Sequence, residues 1–172
     1  METALVSLVS LALIIIASVT TLMSSLTSFS DVFDSWKRIE NEADTKRRTD
    51  ISMEPPQQYD GGMLEVYVAN IGNVNLSSFQ DWDVITRYQN GDVYYVEYSD
   101  SENPEENQWS VEGIYLSDNI SVSEIFDTNV LNTGESVKLK INLSPEIPDG
   151  TYALLTASTH NGVTANCHVY NP

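Results

Sequence analysis

Two histidines, His160 and His168, and one cysteine, Cys167, are the side chains best suited by type to ligate zinc or to act as base and nucleophile. Their spacing fits neither use. Cys167 and His168 are consecutive in a stretch that alternates like a strand, so their side chains point to opposite faces. His160 stands beside a turn signal, Asn161-Gly162. A lone cysteine makes no internal disulfide, and in this context it reads as a small strand residue. No glycine-rich phosphate loop, nucleophile elbow or paired-carboxylate motif occurs. The chain is therefore expected not to be an enzyme and to hold no cofactor and no metal.

Carboxylates invite a second question. The segment SDSENPEENQ, residues 99 to 108, crowds Asp100, Glu102, Glu105 and Glu106, and Asp81 and Asp83 flank Trp82. Calcium could use such groups, but the EF-hand's glycine and terminal glutamate are missing, so both stretches read as solvated acidic surface. The basic residues are segregated instead. Lys37, Arg38, Lys46, Arg47 and Arg48 fall within twelve residues, whereas residues 49 to 172 carry three basic groups against nineteen carboxylates, a net of −16. That surface repels phosphate backbones and excludes nucleic acid as a partner. It is best tolerated where salt shortens electrostatic range. Three sequons, at Asn75, Asn119 and Asn142, fit N-glycosylation acceptors.

The elements that carry these residues differ sharply. Residues 3 to 30 contain no charge, glycine or proline, yet eleven of the twenty-eight are serine or threonine. As a helix this run spans about 42 Å, more than the roughly 30 Å of bilayer hydrocarbon. The first proline is Pro55 and the first glycine Gly61, so the helix is expected to continue to about residue 50. Alternate steps of three and four trace a seam: Leu5, Leu8, Ala12, Ile15, Val19, Leu22, Leu26, Phe29, Phe33 and Trp36. A second face carries Ser7, Ser10, Ile14, Ala17, Thr21, Ser24, Ser28, Asp31 and Ser35. A lone membrane span needs only apolar bulk. Helices that pack on several sides gain from small residues, and hydroxyls can bond to the preceding turn or a neighbour. The seam also runs into charged sequence, where lipid need not follow. Only Met1 and Glu2 precede the run, which gives no basic n-region of a secretory signal. Either a leader has been lost or Met1 is the initiator.

From residue 63 the period changes to two. MLEVYVANIG, SVKLKINL and the two runs around Asn90-Gly91 alternate, and TYALLTASTHNGVTANCHVY reads as a second hairpin. Asn90-Gly91 is expected to form a type I′ turn, with shorter strands around 110–116 and 123–131. The reading is an α+β chain: a hydrophobic helix over 1–50, a linker over 51–62 and an immunoglobulin-like antiparallel β-sandwich over 63–172.

An unbroken apolar helix feeding directly into a β-sandwich resembles the archaellins, the filament subunits of the archaeal-type swimming motor, within the wider type IV pilin superfamily. VANIGNVNLSSF, NVLNTGESVKLKI and STHNGVTANCHVY are similar in style to archaellins and their accessory subunits. The resemblance covers the whole chain. It implies removal of a basic leader by a dedicated peptidase, transient residence in the cytoplasmic membrane, and extraction by pilus-type assembly machinery. The product is a homopolymer outside the cell with the N-terminal helices bundled at its core. Leu5 stands where bacterial pilins carry glutamate, which favours an archaellin-type assembly. The five clustered basic residues are then expected to pair with carboxylates of an adjacent subunit. The alternatives are a membrane-anchored accessory or stator-like subunit, a minor pilin, or an adhesion pilus subunit. Basic residues just after the helix weigh against a permanent anchor, because positive-inside bias would hold that end in the cytoplasm.

Overall fold

The computed structural model describes residues 2–56, 59–116 and 119–172. Two compact units, Met1–Ala43 and Asp44–Pro172, divide the chain. A single helix, α1, runs from Glu2 to Arg48 over 47 residues, about 70 Å at 1.5 Å per residue. Nothing in that run removes an amide or frees the backbone, so no internal break forms. Lys46, Arg47 and Arg48 in the last turn complement the negative end of the helix dipole.

The helix stops because the domain captures its terminal carbonyls. Thr49, 5% exposed, donates its amide to the Thr45 carbonyl at 3.0 Å and its hydroxyl to the same oxygen at 2.9 Å. Asn73 donates to the Arg48 carbonyl at 2.8 Å, and the Ile71 and Gly72 amides both donate to the Asp50 carbonyl at 3.0 Å. Only glycine fits at position 72: a Cβ there would lie 2.4 Å from the Asp50 nitrogen and 2.7 Å from the Arg48 oxygen. Asn161 completes the joint by donating to the Thr49 hydroxyl at 2.6 Å.

Ten strands follow: β1 Ile51–Met53, β2 Tyr59–Asp60, β3 Met63–Asn70, β4 Asp83–Tyr88, β5 Val93–Tyr98, β6 Gln108–Leu116, β7 Asn119–Ser123, β8 Glu135–Asn142, β9 Thr151–Ser158 and β10 Thr164–Asn171. Hydrogen bonds link them in the order β1-β3-β8-β6-β5-β4-β9-β10, with β2 on β3 and β7 on β6. The end strands β1 and β10 lie against each other, and both halves of the path feed one apolar core. The architecture is sandwich-like, as the alternation predicts. Leu64, Val66 and Val68 of β3 are buried, as are Val137, Leu139 and Ile141 of β8 and Ala165, Cys167 and Val169 of β10. Trp109 is fully buried and meets Tyr98 edge-on at 4.9 Å.

Four expectations need correction. The stretch 51–62 is not simply a linker, because β1 pairs with β3 through Ile51↔Asn70, and β2 pairs with β3 through Tyr59↔Leu64. The sandwich is not wholly antiparallel: β5 and β6 pair in parallel at Glu97↔Gln108 and Tyr98↔Trp109. The strand expected over 123–131 is displaced to β7, which ends at Ser123. Beyond it the Glu124 carboxylate accepts hydrogen bonds from the Ile125 and Phe126 amides at 3.0 and 2.7 Å, and this local closure competes with ladder pairing. Finally, Asn90 does not take positive φ. Gly91 alone does, at 96°, while its amide donates to Tyr88 and the Tyr88 amide donates to Asp92. That is a type I turn followed by a left-handed glycine, a three-residue loop in place of type I′. The Asn161-Gly162 hairpin repeats it, with Gly162 at 75°, Gly162 donating to Thr159 and Thr159 donating to Val163.

Candidate functional site

The first candidate is the surface of α1. Its seam residues Leu5, Leu8, Ile15, Val19, Leu22, Leu26, Phe29, Phe33 and Trp36 are all exposed, from 48% at Val19 to 78% at Phe33, and Ala12 is exposed with them. They do not form an isolated stripe. Val6, Leu11, Leu13, Ile14, Ile16 and Met23 are exposed on other sides of the same helix, so beyond Glu2 apolar side chains surround its first six turns, interrupted only by small hydroxyls and alanines. A helix of that kind is stable only inside lipid or inside other protein. It is long and apolar enough to cross a bilayer.

The hydroxyls answer to the same requirement. Ser7, Ser10, Ser18, Thr21, Ser25, Thr27 and Ser28 each donate to the carbonyl four residues earlier, at 2.8 to 3.0 Å. Thr20 reaches both the Ile16 and Ala17 carbonyls at 2.9 Å. Each polar group is thereby satisfied within its own helix, which removes most of the cost of placing it in an apolar environment. Their smallness also leaves relief. A shallow groove on this helix is lined by Ile14, Ala17, Ser18, Thr21, Leu22 and Ser25.

Further along, the ion pairs of the basic cluster among the described residues lie within its own helix. Arg38 lies 4.0 Å from Glu42, Arg47 lies 3.8 Å from Asp44, and Arg48 lies 3.6 Å from the same Asp44. Exposed pairs of this kind contribute about 0–1 kcal/mol each. Lys37 and Lys46 have no ion pair among the described residues.

The three sequons are not equivalent. Asn75 is exposed in the loop after β3, and its carboxamide has no hydrogen bond among the described residues. Asn142 is half-buried in β8 and donates to the Pro104 carbonyl at 3.1 Å, so a glycan on that nitrogen would crowd the bond. The Asn119 side chain lies outside the described residues.

The residues first considered for chemistry are dispersed. Cys167 is buried, and that burial pushes its thiol up to about 11, far from a reactive thiolate. His168 packs edge-on against Tyr152 at 5.3 Å on the other face, and His160 is exposed at its turn. Among the described residues no group of histidine, cysteine and carboxylate side chains could hold a metal ion. The acidic loop is tied into the domain: Lys140 donates to the Glu102 carbonyl and to Asn103, and Ser144 donates to Glu106 at 3.1 Å. What sequence reading missed is the joint of Thr49, Gly72 and Asn161, together with Asn70. Asn70 is fully buried, donates to the Val74 and Leu131 carbonyls and accepts from Gly72. The signal was the Asn-Ile-Gly ending of β3, which is more than a strand stop.

No family model matches the chain, and no curated protein matches it either. Solved structures do. The archaellum periplasmic stator protein FlaG from Sulfolobus acidocaldarius is 22% identical with a TM-score of 0.53, over 70% of this chain and 98% of that one. Archaeal flagellin FlaB1 from Methanocaldococcus jannaschii is 14% identical with a TM-score of 0.53, over 72% of this chain and 90% of that one. The archaeal flagellum of Methanospirillum hungatei strain JF1 is 14% identical with a TM-score of 0.55, over 96% of this chain and 91% of that one. The chain thus has an archaellin-like fold: the likeness to FlaG and to flagellin FlaB1 covers about 70% of it, and that to the Methanospirillum flagellum covers 96%.

Proposed function

We propose that the chain is a structural, non-enzymatic component of an archaellum, and within it the subunit of a helical extracellular filament used for motility. Copies of α1 bundle at the core and the β domains lie outside. One observation carries this reading: an apolar surface that encircles about six turns of α1 and is wholly exposed in the single chain, with its hydroxyls already bonded inward. Burying ten seam side chains at about 1.5–3 kcal/mol each is a gross gain far above what dispersed ion pairs supply. Further support comes from the Methanospirillum flagellum, whose likeness extends over 96% of the chain and so takes in most of the helix.

In this reading the precursor resides in the cytoplasmic membrane before pilus-type machinery extracts it. Lys37, Arg38, Lys46, Arg47 and Arg48 offset repulsion between acidic domains by pairing with a neighbour's carboxylates. Replacing all five by glutamine is expected to make polymer yield fall steeply as ionic strength drops, and unchanged yield refutes that role. Of the two sequons whose side chains are described, Asn75 is the exposed one and its carboxamide is unbonded among the described residues, so a glycan is expected there before Asn142.

A second reading, a membrane-anchored stator-like subunit, is favoured by the higher identity to FlaG, 22%. Electron microscopy of material sheared from producing cells, with mass spectrometry of its N-terminus, separates the two. Fibres containing this chain with a processed N-terminus support the filament subunit. Absence from fibres with retention in the membrane fraction supports the anchored one.

A further inference from the structure

Residues 49–172 hold three basic side chains, and two are already committed. Lys138 lies 2.7 Å from Glu65 and 3.0 Å from Glu112, and Lys140 donates to the Glu102 carbonyl and Asn103. Arg87, on β4, is exposed and has no ion pair among the described residues. It stands on the outer face of β5-β4-β9-β10, where its register partners are Val93 and Leu154. Around it Ile85, Val93, Tyr95, Tyr152 and Tyr170 are exposed, with His168 between them. Strands β9 and β10 carry no carboxylate. Asp83 and Glu97 stand at the far edge of this face, where Asp83 accepts from the Tyr95 hydroxyl, and Asp92 in the turn is bonded to Asn90. Aromatic residues, arginine and few carboxylates are the composition of a protein contact, on a domain that otherwise repels its like.

The complementary group leaves the same hairpin at its other end. Loop residues 99–107 follow Tyr98, five residues along β5 from Arg87's partner Val93 and so about 17 Å away. This loop is held in place: Pro104 is buried, its carbonyl accepts from Asn142 at 3.1 Å, and the Asn107 amide donates to the Asn142 carbonyl at 2.8 Å. The carboxylates of Glu102 and Glu105 have no hydrogen bond among the described residues. Arg87 and this loop cannot meet within one chain.

We infer that the outer face around Arg87 receives the acidic loop 99–107 of a second copy of this chain, Glu102 and Glu105 meeting Arg87 within the ring of tyrosines. Two different surfaces at opposite ends of one domain make a heterologous contact, which propagates instead of closing. The inference rests on the filament reading and names the outer contact that accompanies the buried helices.

Charge reversal in the full-length protein tests it. Arg87→Glu, or Glu102→Arg with Glu105→Arg, is expected to raise the concentration needed for pelletable fibres on the order of ten-fold, with unchanged melting temperature. The combined variant restores it. Arg87→Gln gives a smaller shift and controls for misfolding. Separately, Arg87→Cys with Glu102→Cys forms disulfide-linked ladders on mild oxidation, against a buried and unreactive Cys167. That ladder is read whether or not fibres pellet. Wild-type protein without fibres refutes the filament reading. Fibres indifferent to Arg87→Glu with no ladder overturn the contact, and a defect that the reversed carboxylates leave unrepaired overturns the choice of occupant.

Discussion

Residues before Ala43 and residues after Asp44 solve the burial of apolar surface in opposite ways. In the domain, alternation hides Leu64, Val66, Val68, Val137, Leu139 and Ile141 inside one core and leaves the carboxylates outside except Glu135, which accepts from the Asn132 amide. In the helix, leucine, isoleucine and phenylalanine face outward while serine and threonine turn their hydroxyls back onto the backbone. One part is complete by itself. The other is complete only against something apolar, so the stability of the domain and the surface that demands an apolar partner reside in separate stretches of one chain.

Substitutions can break that separation. The largest effect is expected from Phe29→Ser, Phe33→Ser and Trp36→Ser together, which remove three large apolar groups from the exposed surface. Assembly is lost while the melting temperature of the domain stays unchanged, as calorimetry would record; a large drop in melting temperature would deny the separation. Trp109→Ala does the reverse, costing about 3–5 kcal/mol of domain stability by denaturant titration, because a fully buried indole leaves a cavity. Gly72→Ala is next. Its new methyl meets backbone atoms at the joint, and a loss of about 1–3 kcal/mol is expected from the same titration. Smallest is the response of Cys167. Its thiol is raised to about 11 by burial, so the neutral form is favoured in the folded state. The stability this contributes is full below the unfolded thiol's range and is lost as pH rises through about 11. Labelling by a thiol reagent at pH 8 should therefore follow global unfolding, and rapid labelling of folded protein would refute the burial.

Much of this division was legible in residue order. Absence of glycine and proline up to Pro55 defined the helix, and period-two alternation marked β3, β8, β9 and β10, because both signals are local. The misreadings came where local signals compete with distant partners. Asn90-Gly91 has the composition of a type I′ turn, yet Asn90 avoids positive φ because a three-residue loop needs a single left-handed residue and Gly91 supplies it at least cost. Glu124 holds the Ile125 and Phe126 amides away from a ladder, while Leu131 bridges Leu76 on its own, and β1 forms in a supposed linker because β3 offers a free edge. On the helix a heptad count picked out one seam, but side chains such as Leu11 and Ile16 are equally exposed, and sequence spacing alone does not rank faces that all lack a partner. Arg87 differs from Lys138 and Lys140 only in lacking their partners, which residue order does not reveal.

The central claim is that α1 finds its permanent neighbours among copies of itself. Sedimentation and negative-stain microscopy of the full-length chain, transferred from detergent into lipid-free buffer, measure this directly. Fibres that pellet, with fluorescence of Trp36 shifted to that of a buried indole, are the predicted result. A chain that stays monomeric in detergent and enters added vesicles as a single span, without forming fibres, would contradict it.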